Sequence, residues 1–388
     1  MTEEVKLTNA INYEQFLKIK EDLLIKNPSL LNLSNNNLYE YFPFSNLKEE
    51  IQKFDENGFN YHKNKKVHRC HLVEDWLRFY AVDLSYKEFI GFSNGVKNSF
   101  DLISNLDDFK FKKWLIPDDV YPFYNKTLSK RFTPTAYYST LKEYTIPFYY
   151  QDVISDDHIF HEADVILITL PLKPLGTSGS KSGLINLKNL ISNHKDKTFM
   201  IDCVYLNPIK NNITSNIENN SHENISYLLE LYELGNVFLL TSLSKTWSMP
   251  NIMGITFIPK QYSYIREEFK QLTSNDEALK LAYLALNHYQ LIPKFISLCF
   301  KELRDNLDIF WQNKFHYGFF KNLDIGKKHF DNIVLQDSYL YYIDMEPELF
   351  LEENILVIPA SVFGGTSGSI ISILSKDLEN IKSMFHNC

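Results

Sequence analysis

Apolar positions along the chain follow two periods, one helical and one extended, and their alternation predicts the elements. NYEQFLKIKEDLLIK carries its apolar residues at helical spacing. An irregular polar link, NLSNNNLYEYFP, follows it and leads to another predicted helix within residues 1–55. VEDWLRFYAVDLSY again has helical spacing, and EFIGFSNGVKNSFDLISNL reads as strand, glycine turn and helix. Short apolar runs then alternate with polar helical stretches. The predicted strands are KKWLIP, EYTIPFYY, DVILITLPL, TFMIDCVYL, NVFLLTSL and MGITFIP. Strands that are apolar almost throughout, separated by helices, point to an α/β fold with a parallel sheet covered on both faces. NDEALKLAYLALNHYQ and FISLCFKELRDNLDIFWQ predict two long amphipathic helices. The short strands and turns of SYLYYIDM and ILVIPASVFGGTSGSIISIL, before a final helix, suggest a smaller α+β domain.

Composition narrows the setting. The 388 residues are 44% hydrophobic, enough for a large core in one domain with an appendage or in two domains. A net charge of -8 argues against nucleic acid and acidic membrane surfaces as partners. Cys70, Cys203, Cys299 and Cys388 are far apart and fit a reducing cytosol better than a disulfide framework. The first residues, MTEEVKLTNAINYEQF, are polar and acidic, unlike a signal peptide, and no apolar run reaches membrane-spanning length. The expectation is a soluble cytoplasmic protein. Arginine is scarce: Arg69, Arg78, Arg131, Arg266 and Arg304 are all there are.

Four stretches carry candidate chemistry at the carboxyl ends of predicted strands, where a doubly wound sheet builds its site. In FSNGVKNSF the backbone N–H groups of Asn94, Gly95 and Val96 precede a helix and form a ready anion site. In MIDCVYL, Asp202 ends a buried run and Tyr205 follows three positions later; an Asp capping the next turn is the plain alternative for this piece alone. In TSLSKTWSMPNIMG, Ser242 and Ser244 can donate to a phosphate, and Lys245 sits where a buried ammonium is costly and a neutral amine is a nucleophile. In PDDVYPFY, Tyr121 can stack on a planar cofactor or be an ordinary aromatic beside a proline turn.

Taken in order, SNGVKNSF, VYPFY, LPLKPLGTSG, IDCVY and SLSKTWSMPNIMG resemble the motifs of the class I/II aminotransferase family, the fold-type I enzymes that use pyridoxal 5'-phosphate (PLP). NLSNNNLYEYFP, GFNYHK and VIPASVFGGTSGSIIS extend the resemblance over nearly the whole chain. The resemblance implies a large PLP-binding domain over 56–275 with a mostly parallel seven-stranded sheet. It also implies an N-terminal segment, 1–55, joined to a small C-terminal domain, 276–388. By the same resemblance Lys245 would carry the cofactor aldehyde as a Schiff base and shuttle the substrate proton. Asp202 would hold the ring nitrogen protonated, Tyr205 would bond the ring hydroxyl, and Tyr121 would stack on the ring. Asn94, Gly95, Val96, Ser242 and Ser244 would hold the phosphate, with Tyr61 reaching it from the second subunit of a homodimer. No metal is implied.

The departures from the family pattern bear on the substrate. Lys173 stands in place of the loop asparagine, Met253 in place of the phosphate-binding arginine, and Ile370 in place of the arginine that grips the substrate carboxylate. Lysine is a poorer carboxylate fork than arginine. The expectation is therefore a PLP-dependent enzyme, aminotransferase-like, acting on the amino group of a modified or non-standard amino-acid-like substrate. The alternatives are a PLP-dependent lyase, cyclase or decarboxylase, or a silent protein that keeps the fold for binding. Ser242 to Lys245 also has the S-x-x-K spacing of penicillin-binding proteins, but the KSG at Lys181 precedes it instead of following. His68, Cys70 and His71, or His158, His161 and Glu162, lack a second ligand cluster at metal-site spacing.

Overall fold

The computed structural model describes residues 7, 12–35, 65–117, 120–130, 135–138, 158–170, 177–205, 225–245, 247, 253–274, 276–287, 291–315, 333–335, 339–343, 345–363 and 368–379. Its centre is a seven-stranded sheet. The strands are β1 (Ile90–Ser93), β2 (Trp114–Pro117), β3 (Thr135–Tyr138), β4 (Val165–Thr169), β5 (Thr198–Asp202), β6 (Val237–Ser242) and β7 (Gly254–Phe257). Their order across the sheet is β1-β7-β6-β5-β4-β2-β3. All pairings are parallel except those of β7, which runs antiparallel to both β1 and β6. A parallel neighbour needs a crossover of a dozen or more residues, and only residues 243–253 separate β6 from β7. The outermost strand, β3, is not singled out by the apolar pattern; the predicted strand EYTIPFYY lies outside the described residues.

Strands β1, β2, β4, β5, β6 and β7 are buried at every position, as expected for a sheet covered on both faces. One face packs on α3 (Val96–Asn105), whose Val96, Phe100 and Ile103 form its buried stripe, and on Phe269 of α7 (Arg266–Gln271). The other face packs on α2 (Lys65–Phe79), α5 (Lys181–Asn193), α6 (Ile225–Glu233) and α8 (Asp276–Asn287). Leu72, Val73, Trp76 and Leu77 supply the inward stripe of α2. This helix begins before the predicted VEDWLRFYAVDLSY and ends at Phe79. Ala81 then adopts a positive φ of 54°, and the Asp83 side chain accepts from the Ser85 N–H at 2.7 Å to start a short 3-10 turn.

An N-terminal and a C-terminal segment pair. Helix α1 (Tyr13–Lys26) is capped by the Asn12 side chain, which accepts from the Gln15 N–H at 3.0 Å. Leu31–Asn32 then pairs in parallel with Ile355–Leu356. Near the C-terminal end, β8 (Leu340–Ile343), β9 (Ile358–Pro359) and β10 (Ser369–Ser372) form a small antiparallel sheet with β10 in the middle. The long predicted helix after α8 is α9 (Leu291–Phe315). Among the described residues no helix is long and apolar enough to cross a membrane.

Candidate active site

The register of the sheet brings the candidate residues to one end of it. Ser93 of β1 lies opposite Gly254 of β7, and Gly254 lies opposite Ser242 of β6. In the next rows Thr169 of β4 pairs with Asp202 of β5, and Asp202 pairs with Leu240 of β6. Stretches far apart in sequence therefore deliver the glycine turn, Asp202, Ser242, Ser244 and Lys245 to a common edge, at the carboxyl ends of parallel strands.

Lys245 follows β6 after a turn in which the Ser242 hydroxyl accepts from the Ser244 N–H at 3.1 Å. Burial pushes its ammonium below the ordinary lysine value, and the Asp202 carboxylate pulls it part of the way back. Asp202 is itself 3% exposed. Its Oδ1 accepts from the Val204 N–H at 3.0 Å, and its Oδ2 accepts from the Tyr124 hydroxyl at 2.8 Å. Burial, then the Asp202 charge, raise the Tyr124 phenol well above its ordinary value, so it remains a protonated donor. Tyr124 was not among the expected site residues. It lies on α4 (Pro122–Leu128), one turn beyond Tyr121, and that i, i+3 spacing from the aromatic was the available signal. Tyr121 itself is 51% exposed at the start of α4, its ring 6.2 Å from those of Phe123 and Tyr124.

Tyr205 is partly buried, and its hydroxyl stands 3.3 Å from that of Tyr339, just before β8. Burial raises the Tyr205 phenol above its ordinary value; the Tyr339 hydrogen bond opposes this and the Asp202 charge adds to it. Tyr339, fully buried, thus ties the C-terminal part of the chain to the strand ends, a contact no local motif announces.

The glycine turn is built tightly. Gly95 has φ +137°, a region that favours glycine, and a Cβ there would lie 3.8 Å from the Ser244 hydroxyl. A Cβ on Gly254 would lie 2.8 Å from the Gly95 Cα and carbonyl carbon and would meet the Ser93 hydroxyl. A chain of buried hydroxyls braces the turn. With one proton per hydroxyl, Thr256 donates to Ser99 at 2.8 Å, Ser99 to Ser93 at 2.7 Å, and Ser93 to the Gly95 carbonyl at 3.0 Å. The expected N–H donors are partly engaged: Gly95 N–H points to the Ser93 hydroxyl at 3.2 Å and Asn94 N–H to the side-chain Oδ1 of Asn98 at 3.3 Å. Both are long for such bonds. The Asn94 side chain donates to the Thr273 carbonyl at 2.9 Å, while its own Oδ1 is buried without a donor. Val96 is buried in the core by its side chain.

Met253 and Ile370 are fully buried core residues and present no charge. Tyr61 and Lys173 lie outside the described residues. Among the described residues no three His, Cys, Asp or Glu side chains stand close enough to hold a metal ion.

No family profile and no curated protein sequence matches the chain significantly. Solved structures do. An aminotransferase from Mycobacterium tuberculosis superposes with a TM-score of 0.68 at 12% identity, covering 97% of this chain and 96% of its own. Alanine aminotransferase from Pyrococcus furiosus gives 0.65 at 17% identity, with 98% of each chain covered. L-threonine-O-3-phosphate decarboxylase from Porphyromonas gingivalis gives 0.56 at 16% identity, covering 92% of this chain and 100% of its own. At such identities the likeness speaks to architecture, and over nearly its whole length this chain has the fold of the aminotransferases, the fold-type I arrangement.

Proposed function

We propose that the protein is a PLP-dependent enzyme, aminotransferase-like, that acts on the amino group of a modified or non-standard amino-acid-like substrate. The observation that carries this reading is the pair Lys245 and Asp202. Adjacent parallel strands deliver a lysine whose charged form is disfavoured by burial to within electrostatic reach of a buried carboxylate. A scaffold has no use for such a pair.

The chain's own groups fit the cofactor. The open space beside Gly95, facing the Ser244 hydroxyl, suits a phosphate. The long N–H bonds of Asn94 and Gly95 are ones an anion can compete for. Asp202, fixed by Tyr124 and the Val204 N–H, would hold a proton on a ring nitrogen, and Tyr205 would bond a ring hydroxyl. Tyr121 leaves a ring face open to stack on. Lys245 would hold the aldehyde carbon and carry the substrate proton on Nζ. When bound, PLP supplies an electron sink that weakens a bond at the amino-bearing carbon. The domains would divide as 1–55 with 276–388 around 56–275, in a homodimer in which Tyr61 reaches the partner's phosphate.

The purified protein should be yellow, and borohydride should fix the cofactor on the peptide that contains Lys245. A colourless protein that gains no absorbance with added PLP would replace the enzyme by a binding scaffold. A second reading, a lyase or decarboxylase, is favoured by the uncharged Met253 and Ile370 and by the decarboxylase among the proteins of similar fold. Turnover without 2-oxoglutarate, with release of carbon dioxide or of a leaving group, would select it.

A further inference from the structure

A cavity of about 560 Å³ lies at the open edge of β1, between α2, α7 and residues 272–274. Its volume is that of a small-molecule site. Val73, Ile90, Phe92, Phe269 and Leu272 give it apolar walls. Among the described residues that line it, the charges do not balance. Of the two lining carboxylates, Glu74 is paired with Lys87 at 3.2 Å and Glu88 with Arg266 at 3.1 Å, while Lys270 pairs with Glu267. Arg69 is left over. Its guanidinium carbon stands 5.7 Å from the centre of the Phe92 ring, and its Nε is buried with no acceptor. Burial lowers its pKa from the ordinary arginine value, with no carboxylate opposing. The hydroxyl of Ser274, on the same wall, is also buried without a partner. Buried polar atoms are nearly always bonded, so the Arg69 Nε and the Ser274 hydroxyl leave this wall with two unmet bonds and one unmatched charge on a half-buried side chain.

We propose that this cavity is a binding site for a small organic anion, with a phosphate or carboxylate head on Arg69 and the Ser274 hydroxyl and an apolar body against Phe92 and Leu272. A guanidinium fork matches either head in two-pronged geometry. The site is separate from the one that would hold PLP, since neither Lys245 nor Asp202 lines it. It is joined to that site by the Asn94 side chain, which bonds the Thr273 carbonyl at its rim.

The test is calorimetric titration of the full-length protein with phenyl phosphate and with benzoate, with and without saturating PLP. Phenol serves as the uncharged probe. The expected result is one saturable site whose affinity is the same with PLP present, with phenol at least about ten-fold weaker. The better of phenyl phosphate and benzoate identifies the head. Arg69→Gln should weaken binding at least about ten-fold, Arg69→Lys less, and Lys188→Gln, on α5 and outside the lining, not at all. Cys70 is exposed and lines the cavity, so saturating ligand should slow its modification by a thiol reagent. Unchanged affinity in a folded Arg69→Gln protein would overturn the proposal. So would absent binding together with an unreactive Cys70, which would mean that a second copy of the chain covers the cavity.

Discussion

Lys245 and Asp202 show how a single side chain can be destabilising for the fold and still be retained. Burial lowers the folded-state pKa of Lys245, so between that value and the unfolded one the unfolded chain binds more protons and stability rises with pH. At pH 7 the folded protein therefore carries a penalty that fades as pH approaches the ordinary lysine value of about 10.4. Lys245→Met should raise the stability of the cofactor-free protein at pH 7 by on the order of 1 kcal/mol, and the gain should shrink toward pH 10. Urea unfolding at the two pH values reads this, and a variant no more stable than wild type at pH 7 would show that Lys245 bears no such strain. Tyr124→Phe tests the other partner. It removes the donor to Asp202 Oδ2 from a buried carboxylate, with an expected loss of about 1–3 kcal/mol and weaker PLP retention. If stability and cofactor absorbance both stay unchanged, the Tyr124 bond plays no part in orienting Asp202. The strand-end positions of Lys245, Asp202 and Tyr205 could be read from the sequence because each follows an apolar run that forms a buried strand. Tyr124 was not, because which tyrosine of VYPFY turns inward depends on where α4 starts.

The glycine turn, as an element, could be read from FSNGVKNSF alone, but its bracing could not. Thr256, Ser99 and Ser93 come from β7, α3 and β1, and their hydroxyl chain exists only once the antiparallel register of β7 places Gly254 opposite Ser93. The pattern predicted the strand MGITFIP but not its direction, because a strand buried on both faces looks the same either way. Gly254→Ala probes this junction. The new Cβ must displace the Gly95 backbone or the Ser93 hydroxyl, so the variant should lose PLP affinity at least about ten-fold. Gly235→Ala is the control. It has a positive φ, +121°, but meets nothing within 4 Å, so it should cost about 1 kcal/mol of stability and leave cofactor binding alone. Equal cofactor affinity in the two variants, measured by absorbance titration, would show that the tight approach at Gly254 does not shape the turn.

At the scale of the whole molecule, the small C-terminal sheet carries the residue that bears on the substrate, Ile370. Residues 31–33 are tied to the C-terminal part of the chain by the Leu31–Asn32 pairing, by Asn32 N–H on Asp377 at 3.1 Å, and by Ser372 N–H on the Leu33 carbonyl at 2.8 Å. Long-range ties of this kind leave no periodic trace, which is why the sequence predicted a small domain but not how the N-terminal segment joins it. Ile370 lies in the middle strand, β10, opposite Tyr342 and Ile358, fully buried. An isoleucine there offers no counter-charge of its own to a substrate carboxylate bound near it. Leaving one charge of such a pair buried and unmatched costs about 2–5 kcal/mol, or roughly 30-fold in affinity at the low end. Alanine, aspartate and phenylalanine should therefore perturb the spectrum of the PLP-loaded protein at least about 30-fold less effectively than phenylalanine amide or phenylethylamine, in which the carboxylate is masked or absent. A spectral titration with these five compounds, with and without 2-oxoglutarate, makes the comparison. Rapid conversion of the free amino acids would mean that another cation, such as Lys173, meets the carboxylate. Preference for the masked compounds would place the substrate among amines or amino acids carried as amides or esters.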